Sequence, residues 1–166
     1  EASVNPGRMK TAVASCSDGD TLTGGGFAIS AEFEGYQYRV NSNAPRITVS
    51  DFPELSESPA SVGTIQDLPA APFAVSGRLS TLGEEDKYLL TVSPKQKLRF
   101  DCLARQYGSP LDGVLTIRKA DGSEQLATGD DRPGSSDPMV DYTVPAGVTK
   151  LQVVVKDLLG RGGSDY

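Results

Sequence analysis

"VLTIRKADGSEQLAT", residues 114–128, sets two extended runs around the dipeptide Asp121-Gly122. Leu115 and Ile117 alternate with more polar neighbours, the period of two by which a strand turns one face inward. Asp-Gly tolerates the positive φ of a tight hairpin, so the two runs are expected to pair with a well-fixed register. The same alternation recurs downstream in Val140, Tyr142 and Val144, and again in Leu151, Val153 and Val155. With 18 Gly and 11 Pro punctuating such runs, no stretch reads as a helix of useful length, and the chain is all-β.

Strands are expected at Met9–Ser15, Gly26–Glu32, Tyr36–Val40, Arg46–Val49, Phe73–Leu79, Asp86–Val92, Lys97–Ala104, Val114–Lys119, Glu124–Thr128, Met139–Val144 and Lys150–Asp157. Pro94, Pro133, Pro138 and Pro145 fall between them, where a missing N–H breaks no ladder. From Ser50 to Ala71, "SDFPELSESPASVGTIQDLPAA", periodicity gives way to Pro, Ser and Glu, which reads as a linker. The expected organisation is an N-terminal β-rich segment over 1–50, a linker over 51–71 and a sandwich over 72–166.

The 166 residues carry 16 Lys plus Arg against 22 Asp plus Glu, a net charge of −6, with no basic block to displace counterions from a phosphate backbone. Nucleic acid is therefore not an expected partner. No apolar run approaches the roughly 20 residues of a membrane helix, so no membrane insertion is expected. Histidine is absent, which removes the commonest general base and the usual nucleophile activators, and neither Gly-x-Ser-x-Gly nor Ser-x-x-Lys occurs. These absences argue against an enzyme. The first residue is Glu1, as in a processed mature protein or an excised fragment. Cys102 is in phase with Leu98, Phe100 and Ala104 and is expected in the core as a small hydrophobe; a disulfide to Cys16 is the alternative.

From Phe73 to Tyr166 the chain resembles the bacterial pre-peptidase C-terminal domain, a jelly-roll-like antiparallel β-sandwich similar to the collagen-binding domains of secreted bacterial collagenases. The resemblance rests on "VSGRL", "GEEDKYLLTV", "SPLDGVLTIRKADGSEQLATGDD", "VDYTVPAG" and "LQVVVKDLLGRGGSDY", in that order, with "ITVSDFPELSE" resembling the passage that leads into such domains. It implies a non-catalytic, extracellular or cell-surface accessory module of a larger secreted or surface protein. Its partners would be other domains of that protein or an extracellular polymer. The family often binds Ca2+ through a Glu-x-Glu-Pro-Asn-Asp-like linker and an acidic turn. Here the linker reads "ELSESPAS", without the second Glu and the Asn-Asp pair. That leaves Glu54, Glu57, Glu84, Asp86 and backbone carbonyls as metal ligands, a thin shell for an ion that takes six to eight oxygens, and the alternative is a solvated acidic loop. No cofactor is required on this reading.

Family members continue beyond "GGSDY" into a last strand. Its place would fall to residues beyond a fragment or to another segment, including one from a neighbouring subunit. Self-association into an extracellular filament, layer or matrix by strand exchange is thus the alternative function. "DGDTLTGGG", Asp18 to Gly26, has the look of a calcium nonapeptide repeat but occurs once, and reads as a turn. Tyr36 and Tyr38 are expected on a half-buried strand face, and Asp112, Asp121, Asp130 and Asp131 as turn caps. The expected interaction surface is either a sheet face or the loops around Glu84–Asp86 and Gly129–Asp137.

Overall fold

Alternating side chains become strands here because each strand has a second sheet to turn its apolar face toward. The computed structural model describes residues 27–32 as backbone, and 52–58, 64–164 and 166 in full. Ten strands are described: β1 Phe27–Glu32, β2 Glu54–Ser56, β3 Ile65–Leu68, β4 Phe73–Gly77, β5 Glu85–Thr91, β6 Lys97–Leu103, β7 Gly113–Lys119, β8 Gln125–Gly129, β9 Met139–Thr143 and β10 Lys150–Asp157. They form two five-stranded sheets, ordered β2-β4-β1-β6-β9 and β3-β5-β10-β7-β8. The fold is an all-β sandwich. Expected strands at Met9–Ser15, Tyr36–Val40 and Arg46–Val49 lie outside the described residues, as do Asp18–Gly26 and Cys16.

The core lies between the sheets. Phe73 and Val75 of β4 and Phe100 of β6 meet Tyr88 and Leu90 of β5, Leu115 and Ile117 of β7, and Leu151, Val153 and Val155 of β10. Burying a large apolar side chain contributes about 1.5–3 kcal/mol, so this interdigitated layer is the main source of stability. β10 sits at the centre of its sheet, antiparallel to β5 on one side and β7 on the other. Cys102 joins the core as a buried free thiol, as its phase with Phe100 required. No helix among the described residues is long and apolar enough to cross a membrane.

The Asp121-Gly122 turn closes as its residues dictate. The Gly122 N–H donates to the Lys119 carbonyl at 2.8 Å, and the Asp121 carboxylate accepts from the Ser123 N–H and hydroxyl at 3.0 and 2.6 Å. Gly122 has φ 74°, the left-handed region that favours glycine. The hairpin register is not uniform, however: it shifts between Ile117 and Arg118, a β-bulge.

Two features differ from the sequence expectation. The passage 51–71, read as a linker, contains β2 and β3, which run parallel to β4 and β5 as edge strands of opposite sheets. The sandwich is therefore antiparallel inside and parallel at these two edges. The second difference is β1, from the N-terminal segment 1–50, which lies within a sheet and pairs antiparallel with both β4 and β6. Both strands had a free ladder to offer, and an extended segment that pairs on two sides satisfies its own backbone groups and theirs.

Candidate metal centre

β5 inherits its inward face from alternation, so Asp86, Tyr88 and Leu90 point into the sandwich and Glu85, Lys87 and Leu89 point out. Glu84 stands just before β5 at the end of the 80–83 loop, also buried. Glu57 arrives from the other sheet: its N–H donates to the Ser76 carbonyl at 2.7 Å, prolonging the β2–β4 ladder by one residue. Glu57, Glu84 and Asp86 each place a carboxylate oxygen within 4.8 Å of the other two. Three of the four expected ligands thus converge. Glu54 does not join them, because it lies on β2, exposed, opposite Ala74.

Hydrogen bonds fix part of the cluster and leave part bare. The Thr81 N–H and hydroxyl both donate to Glu84 Oε2, at 2.7 and 3.1 Å, and the Arg78 N–H donates to Glu57 Oε2 at 3.0 Å. Glu84 Oε1 and both oxygens of Asp86 are buried with no hydrogen-bond donor. Asp86 is 1% exposed and Glu84 is 8% exposed. Burial, followed by the Glu57 charge, a hydrogen bond to Glu57 once protonated and the Glu84 charge, pushes the Asp86 carboxyl up to about 8. Tyr88 lies deeper on the same face. Its phenol is raised by burial and then by the Asp86 charge, and its hydroxyl has no partner.

Such an arrangement needs positive charge. Facing carboxylates in a low-dielectric site repel each other unless a proton or a cation lies between them. The donor set is all oxygen, which suits a hard cation such as Ca2+ or Mg2+ rather than a soft transition metal. Glu84 Oε1 and both oxygens of Asp86 are open to an ion, and Glu57 closes the cluster from the opposite sheet.

Among the described residues, three other carboxylates, Asp101, Asp137 and Asp157, are buried outside the cluster, and their partners make them structural. Asp137 accepts from the N–H groups of Ala104, Arg105 and Gln106 at 3.0, 2.7 and 3.1 Å, capping the single 3-10 turn Arg105–Tyr107 described. Asp157 accepts from the N–H groups of Asp112, Leu159 and Arg161, each at 3.0 Å, and from the Arg161 guanidinium. Both are satisfied in full. The Gly129–Asp137 loop, expected as an interaction surface, is tied down in the same way: Arg132 pairs with Asp101 at 2.7 Å and exchanges two backbone bonds with Ser135. Asp121 caps its turn as expected, and Asp130 and Asp131 are exposed. Thr81 went unnoticed, although "TLGE" at 81–84 has the Thr-x-x-Glu spacing by which a hydroxyl residue and a glutamate bond reciprocally. No known family model matches the chain, and no curated protein sequence matches it significantly.

Proposed function

We propose that the chain is a non-catalytic accessory module of a larger secreted or cell-surface protein, a sandwich of the pre-peptidase C-terminal kind. A calcium ion held by Glu57, Glu84 and Asp86 secures the passage leading into it. One observation carries this reading: carboxylates from both sheets converge on a point where three buried oxygens have no donor. An ion there joins Glu57, just past the end of β2, to β5 in the opposite sheet, and so stiffens the entry to the module. Three carboxylates completed by water form a weak site, of the kind that fills at the roughly 10⁻⁴–10⁻³ M calcium of extracellular fluids. The module's partners would be other domains of the parent protein or an extracellular polymer.

Thermal unfolding of the ion-free protein in chelator, and again in calcium at about 100 times its dissociation constant, tests the site. Preferential binding to the folded state adds about 2.7 kcal/mol, or roughly 5–10 °C for a chain of this size. Asp86→Asn, which removes a carboxyl that the ion-free fold must hold protonated, is expected to unfold higher than the parent in chelator and to lose the calcium effect. Equal melting temperatures for the parent in calcium and in chelator would refute the site. A second reading, a structural subunit of an extracellular filament, layer or matrix, draws on β1, a strand distant in sequence that completes a sheet on both sides. The mass of the chain in solution decides it.

A further inference from the structure

The loop that carries Glu84 takes its shape from the far end of the chain. We propose that the segment 160–163 is a strap that positions Glu84 for the cation, acting through Gly162 and Thr81; the inference rests on the calcium reading above. The Gly83 N–H donates to the Gly160 carbonyl at 2.9 Å, and the Gly163 N–H donates to the Leu79 carbonyl at 2.8 Å. The strap thereby brackets residues 79–83. Between these bonds Gly162 lies directly on the Thr81 carbonyl, where a Cβ would overlap the backbone. Only a residue without a side chain permits that approach.

The strap is itself anchored. Asp157 accepts from the Leu159 and Arg161 N–H groups at 3.0 Å each and holds the Arg161 guanidinium at 3.0 and 2.9 Å, while the guanidinium lies 5.6 Å from the Tyr166 ring centre. Position passes from Asp157 to the strap, from the strap to Thr81, and from Thr81 to Glu84. Thr81 grips Glu84 Oε2 with two donors and so leaves Oε1 as the oxygen free to meet an ion. Thr81 and Leu82 are exposed, so the loop has little buried apolar surface of its own to set its shape, and the strap supplies what packing does not. A ligand held in its bound geometry spares the site the entropy of ordering it on binding.

Calorimetric titration of the whole ion-free chain with calcium chloride tests this, with unfolding in chelator as the control for folding. Gly162→Ala is expected to weaken calcium binding at least tenfold. Thr81→Val, which leaves the strap intact, is expected to weaken it several-fold while still unfolding cooperatively in chelator, at most a few degrees below the parent for the one hydroxyl bond lost. Thr81→Ser, which keeps the hydroxyl, is expected to bind like the parent. If Gly162→Ala does not fold, the Val and Ser variants at position 81 decide the matter. Parental affinity in Gly162→Ala or in Thr81→Val overturns the strap and leaves the calcium site standing. Absence of calcium binding by the parent chain overturns the site, and the strap's role with it.

Discussion

Asp86 and Asp157 are buried to nearly the same degree, 1% and 2% exposed, yet their protons behave oppositely. At Asp157 burial opposes ionisation, but the Arg161 side chain and the backbone N–H groups of Arg161, Asp112 and Leu159 outweigh it and hold the carboxyl down at about 2. Asp86 has burial and two like charges with no donor to offset them, and stands at about 8. The consequences for stability have opposite signs. A depressed carboxylate contributes stability that is present above its ordinary value of 3.8 and is lost as pH falls toward about 2. For Asp157 this amounts to about 2 kcal/mol, since each tenfold change in proton affinity is worth about 1.4 kcal/mol. Asp86 acts in a separate window: without an ion, the fold loses stability as pH rises from the ordinary carboxylate value toward about 8. Urea unfolding between about pH 2 and 5 should therefore show an acid loss in the parent that Asp157→Asn largely lacks. Equal acid slopes in the two proteins would show that Asp157 is not the group responsible.

At the scale of elements, strands were legible in proportion to the apolar face they bury. β5 and β7 each bring two alternating residues into the core and β10 brings three, so alternation announced them. β2 and β3 did not stand out, because they are 3 and 4 residues long, carry one inward leucine each, Leu55 and Leu68, and pair on one side only. A short edge strand has no period to display, and its Pro, Ser and Glu neighbours read as a linker. Two of the clustered ligands, Glu84 and Asp86, were legible where the acidic turn enters β5, and a third in the approach passage, through the family resemblance. The strap was not, since its contact with Thr81 joins residues far apart in sequence and involves a side chain that is absent. β1 was visible as a strand but not as a member of this sheet, and that membership has a measurable cost if removed. A chain beginning at residue 51 leaves the β4 and β6 ladders unpaired along five positions each. Its melting temperature is expected to drop on the order of 10 °C, corresponding to several kcal/mol, with aggregation through the opened edges. A truncated chain that melts with the whole one would mean that β1 contributes nothing to the fold.

For the whole molecule, the same strand raises the question of whose sheet it completes. Between Glu32 and Glu54 the chain supplies 21 residues, up to about 70 Å at full extension, which allows β1 to reach its own sheet or that of a neighbour. The ladder bonds are the same in either case, so strength of pairing does not choose between them; effective concentration does. A tether of this length holds β1 near its own slot at a local concentration on the order of millimolar. Micromolar protein is therefore expected to scatter light as a single chain of 17.5 kDa. Exchange should gain ground only as the protein approaches millimolar concentration, or where a surface or a parent assembly crowds the modules together. Light scattering across that range, with calcium and with chelator, separates the two functional readings. Growth in mass with concentration supports the subunit that assembles by exchange. A strictly single chain at the highest concentration, still cooperatively folded, leaves the self-contained accessory module.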